Sequence, residues 1–205
     1  MNTIFRCFLT LLLLLTTSSL AAYPSAGSAA PSFSKIDING KEQSLRQYKG
    51  KIVVLEWTNP ECPHVLKHYV GSKNIPNMQK EFTKNPDIIW LMIASSAPGK
   101  EGHKTPDEWK ALLSSWNVAP TSLLIDDNGS IARLYTATKT PEFVIIDKEG
   151  NIAYRGAVDT IPTSNPEDIQ NPINRKLIQE NLNNLLQGNT IYTTETIPYG
   201  CPIKF

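Results

Sequence analysis

The chain has 205 residues, with 20 Lys and Arg against 19 Asp and Glu and a formal net charge of +1. That length supports one domain with a substantial apolar core. The balanced charge, with no basic run, argues against a nucleic-acid surface.

The N-terminus comes first. Arg6 precedes the apolar run "CFLTLLLLL" and the small, polar "TTSSLAA", the order of a secretory signal. The run is shorter than the ~20 apolar residues of a membrane span. Ser19 and Ala21 fit the small-x-small rule, which places cleavage after Ala21, with Ala22 as the neighbouring choice and an uncleaved anchor as the alternative. Residues 1–21 are therefore expected to be a signal peptide. The mature chain is then periplasmic or extracellular and is not held by a membrane. Cleavage removes Cys7 and leaves Cys62 and Cys201. Two cysteines in an oxidising compartment invite a disulfide.

Residues 22–31 are small, polar and proline-containing, and read as a flexible lead-in. "SKIDINGKEQS" alternates about Asn39-Gly40, a hairpin signal. "IVVLEW" (52–57) is a continuous apolar strand of the kind buried on both faces. From Cys62 to about Thr83, Val65, Leu66, Tyr69 and Val70 recur at helical spacing, with a break expected near Pro76. "DIIWLMIAS" (87–95) is a second buried strand, and 96–104 is a loop. Thr105, Pro106 and Glu108 open a capped helix that runs to about Trp116. A third strand (121–126), a short helix at "SIARLYTA", and a hairpin of 142–147 with 151–157 come next. An amphipathic helix over 172–188 ends at Gly188. Residues 189–205 form an irregular tail or edge strand carrying Cys201. The alternation means an α/β sheet with helices on both faces, whose body spans 32–188. Its chemistry belongs at the carboxyl end of the first buried strand.

That end reads "EWTNPECPHVLKHY". Cys62 opens a helix, where unpaired N–H groups and the macrodipole favour a thiolate. Pro63 is tolerated in the first turn, since its missing N–H would be unpaired anyway. Three roles stand open for Cys62: a catalytic thiol with a distant partner, a metal ligand with His64 and His68, or a buried inert residue. His64 and His68 are four apart on one helix and share a face, as a Cys/His metal site would need. Cys201 is either a resolving thiol for Cys62 or half of a static bridge.

Three separated stretches resemble the thioredoxin-fold superfamily, and within it the redoxin or peroxiredoxin-like group. They are "APSFSKIDINGKEQSLRQYKGK", "IVVLEWTNPECP" and "TKTPEFVIIDKEGNIAYRG", together covering about residues 30–157. The tail "YGCPIKF" is similar to the ending of an exported branch with a recurring cysteine. The resemblance implies a thioredoxin-like α/β fold: a central mixed sheet, helices on both faces and an N-terminal hairpin. It implies that Pro141 is cis and that Thr140 before it offers its backbone to a substrate. It also places Glu56 as the buried acid beneath the site. The departures are specific. Val65 replaces the second cysteine of C-x-x-C. Asn59 stands where peroxiredoxins carry threonine, with Thr58 one step off. Thr140-Pro141 stands where they carry arginine, and Arg133 is earlier in the chain.

The activity implied is that of an exported thiol-dependent oxidoreductase without a cofactor. Cys62, Cys201, Glu56, Thr58, Thr140 and Pro141 form its site, a peroxide or disulfide is its substrate, and an external thiol is its reductant. The alternatives are a binding module stapled by Cys62–Cys201 and a copper or zinc carrier.

Overall fold

The computed structural model describes residues 23–205; the expected signal segment and its cleavage site lie outside them. Strands β1 (Ser34–Ile36) and β2 (Glu42–Ser44) pair antiparallel across Asn39-Gly40, as the alternation predicts. Asp37 ties this turn to the body. It accepts from Asn39 N and Lys41 N, from the Gln43 amide, and from Ser122 Oγ at 2.7 Å.

The main sheet begins with β3 (Ile52–Trp57), buried at all six positions. Side chains alternate across a strand, so Ile52 and Val54 pack into one apolar cluster while Val53, Leu55 and Trp57 pack into another on the opposite face. A short helix α1 (Pro63–Leu66) and a π-wound turn (Lys67–Gly71) come after it, then α2 (Asn74–Phe82). Next come β4 (Ile88–Ala94), α3 (Pro106–Trp116), β5 (Ser122–Ile125), α4 (Ser130–Leu134), β6 (Lys139–Thr140), β7 (Glu142–Ile146), β8 (Ile152–Gly156), α5 (Leu177–Gln187) and β9 (Cys201–Pro202). The sheet order is β5-β4-β3-β7-β8. β3, β4 and β5 run parallel, and β7 and β8 are antiparallel to their neighbours. Tyr69, Met78, Trp109 and Leu182 of the helices cover one face, and Ile131 and Ala132 of α4 cover the other. This is the mixed, two-sided α/β sheet that the resemblance implies. Among the described residues no helix is long and apolar enough to cross a membrane.

Four local expectations differ from the structure. The helix after Cys62 breaks at Lys73 (φ +57°), not at Pro76. Pro76 lies in the first turn of α2, where a missing N–H costs nothing. Before the break, Ser72 N bonds back to Lys67 O, a π-type step that shifts the helical phase. Lys67 and His68 turn inward as a result, while Val70, one of the four apolar residues at helical spacing, is exposed. The last helix begins at Leu177 rather than 172, because Asn174 is used as a side-chain clamp on the turn at 159–160. Finally, residues 27–30 do not run free. Gly27 N and Ala30 N bond to Ile152 O and Gly150 O, and Ile152 N bonds to Ser28 O. The capping box of Thr105 with Glu108 forms as the spacing predicts.

Candidate active site

β3 delivers the chain to Thr58 and Asn59, and Asn59 shapes the turn into α1. Its side-chain oxygen accepts from Glu61 N at 2.9 Å and its carbonyl from Cys62 N at 3.1 Å. The turn leaves Cys62 as the N-cap of α1, with its carbonyl accepting from Val65 N and Leu66 N. Cys62 is fully buried. Its thiol donates to Thr140 O at 3.2 Å, the carbonyl of the Thr140–Pro141 peptide, which is cis.

The partner arrives from the far end of the chain. β9 pairs antiparallel with β6, placing Cys201 opposite Thr140 and Pro202 opposite Lys139. Both cysteines are unbonded thiols; Cys201 lies opposite Thr140, whose carbonyl accepts from the Cys62 thiol, and both pack in one apolar cluster. Burial, then the adjoining Cys62 thiol, push Cys201 up to about 12. Val65 leaves no second cysteine in the first turn of α1, and the fold brings Cys201 to the same strand end from the far end of the chain.

The tail is fastened on both sides of Cys201. Ile203 N bonds to Thr138 O, Ala97 N to Lys204 O, and the Lys204 ammonium pairs with Glu101. The Phe205 ring lies under the Arg133 guanidinium at 4.4 Å. Upstream, Thr196 N and Arg155 N exchange bonds with Arg155 O and Thr194 O. Gly200 has φ +119°, and a Cβ there would overlap the Thr140 carbonyl oxygen. Only glycine lets β9 lie this close to β6. Of the two expectations for residues 189–205, the edge strand is what forms around Cys201; its docking rests on backbone bonds of Thr194, Thr196 and Ile203 that no side-chain pattern reveals.

Glu56 faces the same side of β3 as Cys62. It is fully buried and accepts from the Tyr69 hydroxyl, from Trp90 Nε1 at 2.7 Å and from Gln79 Nε2 at 3.2 Å. Burial raises its pKa to about 7, against the lowering effect of these three donors. Thr58 is also buried; its hydroxyl makes no well-formed hydrogen bond, and the Tyr69 hydroxyl is its polar neighbour.

His64 and His68 do not join Cys62 around a common point. His64 Nδ1 lies 3.2 Å from Thr163 O, and His68 lies between Asn74 Oδ1 at 2.9 Å and the Tyr199 hydroxyl at 3.2 Å. Among the described residues no three His, Cys, Asp or Glu side chains are grouped to hold an ion. His68 belongs instead to a buried polar cluster. Lys67 Nζ lies 3.5 Å from Asp159 Oδ2 and donates to Ile161 O at 3.0 Å, and the Tyr199 hydroxyl donates to Asp159 Oδ1. Burial lowers the His68 pKa to about 4, with Asp159 pulling the other way.

These two groups give opposite pH dependences. Glu56 is protonated more readily folded than unfolded, so its contribution is full below about pH 4.5 and is lost as pH rises to about 7. His68 stays neutral when folded, so its contribution is full above about pH 6.5 and is lost as pH falls towards 4. Between 4.5 and 6.5 the slopes offset. In Glu56→Gln, urea midpoints are expected to rise steadily from pH 4 to 6.5 and then level. A wild-type-like, flatter profile in the variant would contradict the assignment to Glu56.

The site residues missed from sequence were Tyr69, Gln79, Lys67, Asp159 and Tyr199. The "YGC" spacing places Tyr199 beside Cys201, but its partners come from two other segments.

The Redoxin family pattern matches residues 25–173. Thiol-disulfide oxidoreductase ResA of Geobacillus thermodenitrificans is 29% identical over 136 residues, 58% of this chain and 73% of that protein. Chloroplastic peroxiredoxin Q of Gentiana triflora is 26% identical over 145 residues, 60% of this chain and 64% of that protein. An uncharacterised conserved protein of Geobacillus kaustophilus superposes with a TM-score of 0.68 at 22% identity, covering 90% of this chain and 93% of that one. A hypothetical protein of Sinorhizobium meliloti 1021 gives 0.70 at 19%, covering 88% and 94%. A thiol at the end of β3, facing a cis-proline strand and carried on a sequence that matches over most of its length, makes this chain a member of the Redoxin family.

Proposed function

We propose that this thiol-based oxidoreductase is exported and cycles between a Cys62/Cys201 dithiol and a Cys62–Cys201 disulfide. The observation that carries it is the convergence of both cysteines on Thr140: Cys62 bonds to its carbonyl, and Cys201 faces it across the β6–β9 pair. With a hydroperoxide, the Cys62 thiolate takes the terminal oxygen to become a sulfenic acid, and the alkoxide leaves with a proton as alcohol. Cys201 then attacks the Cys62 sulfur, a disulfide forms and water departs. With a disulfide substrate, Cys62 forms the mixed disulfide and releases one thiol, and Cys201 displaces the other. Two electrons from an external thiol pair restore the dithiol. Glu56, close to pH-neutral titration and on the Cys62 face, is suited to holding a proton through these steps.

The full burial of Cys62 favours a small oxidant, a hydroperoxide, over a folded protein disulfide. The test is to give the mature reduced protein one equivalent of hydrogen peroxide or of oxidised glutathione, quench with acid and map disulfides by peptide mass. The expected product is Cys62–Cys201, formed faster with peroxide. Faster closure with glutathione disulfide makes disulfide exchange the activity, and no Cys62–Cys201 bond with either oxidant overturns the cycle.

A further inference from the structure

Among the tail residues near Cys201, Tyr199 makes the most consequential side-chain contacts. Residues two apart in an extended segment point the same way, and Tyr199 and Cys201 both pack on the cluster that contains Cys62. The Tyr199 hydroxyl donates to Asp159 Oδ1 and lies 3.2 Å from His68 Nε2. Its ring lies 5.6 Å below Lys67 Nζ and edge-on to His64, also at 5.6 Å. Lys67 and His68 sit one to two turns beyond Cys62 on the same helical run, and Asp159 comes just after β8. Asp159 Oδ2 also accepts from Asn174 Nδ2 at 3.0 Å. The side chains of Lys67 and Asp159 are 0% and 1% exposed, and the half-buried Tyr199 closes over them.

We propose that Tyr199 is the positioning residue of this site: through Asp159, Lys67 and His68 it latches the Cys201 strand onto the Cys62 helix and sets how often Cys62 is uncovered. If the tail lifts, Asp159 and His68 each lose a hydrogen-bond partner and the buried Lys67–Asp159 pair loses its cover. That penalty falls on the open state alone. Closure therefore does not depend on a disulfide, which fits two free thiols lying together under a docked tail. The latch deepens the redox reading above, but it is measurable without turnover.

The experiment reads tail opening directly. In a reduced Cys201→Ser chain, Cys62 is the only thiol of the mature protein, and its native-state alkylation by iodoacetamide requires the tail to open. Tyr199→Phe keeps the ring and its packing and removes only the hydroxyl. Loss of a hydrogen bond to a charged group should raise the alkylation rate by about tenfold, after division by the rate in denaturant at the same pH. Tyr192→Phe, at an exposed tail position, should change nothing. Asp159→Asn should act as Tyr199→Phe does. A rate within twofold of the parent in Tyr199→Phe overturns the latch. So does an acceleration fully matched by a fall in the urea midpoint, since Cys62 would then react through global unfolding. Failure of the peroxide experiment would remove the redox cycle and leave this result standing.

Discussion

Cys62→Ser is expected to abolish peroxide consumption above the uncatalysed background, while Cys201→Ser keeps the first, stoichiometric oxidation and stalls at a Cys62 sulfenate. The difference comes from position at the strand end and from the raised pKa of Cys201. Cys62 is the thiol at the strand end, bonded to Thr140 O. Cys201 is only partly buried, and its high pKa makes it a poor first nucleophile. Dimedone trapping followed by peptide mass reads both outcomes. Turnover of Cys201→Ser at the parent rate with the same reductant would show that an external thiol resolves Cys62, and that the β6–β9 contact is structural only.

Gly200→Ala should have the second large effect, although position 200 carries no reactive group. Alanine there meets two penalties together: a φ of +119°, in a region that is essentially glycine's, and overlap with the Thr140 carbonyl oxygen. The combined cost is on the order of 3 kcal/mol, which the strand can escape only by moving off β6. Each 1.4 kcal/mol is about tenfold, so Cys62–Cys201 closure should slow by about 100-fold while the first oxidation of Cys62 persists. Stopped-flow oxidation with acid quench separates the two phases. Closure at the parent rate would mean that the tail reaches Cys62 without the strand pairing.

The sequence carried most of the frame because its signals were periodic. β3 and β4 read as buried on both faces, and they are. Thr105 and Glu108 close a capping box because their chemistry is local. The signals failed where packing depends on distant segments. The π-wound turn moved Lys67 and His68 inward against their polarity, and nothing local tells that a lysine will find Asp159 nearly a hundred residues later. Around Cys62, Pro141 is cis and Glu56 is buried, as the resemblance implies, and the Cys62 thiol bonds to Thr140 O. The tail's ordered docking did not show, because backbone pairing with β6 and β8 leaves no residue pattern of its own.

That docking also bears on how copies of the chain meet. An open sheet presents two edge strands whose free N–H and C=O groups can recruit a second chain. Here β5 is bordered by the first hairpin, through the Asp37–Leu124 bridge and the bond from Ile38 N to Leu123 O. β8 is bordered by residues 27–30 at one end and by 194–196 at the other. Both margins of the sheet are thus occupied by the chain's own termini-proximal segments. Removing the last seventeen residues would delete Cys201 and also bare part of β8, so a truncated chain should gain a tendency to self-associate that no point substitution at Cys201 produces.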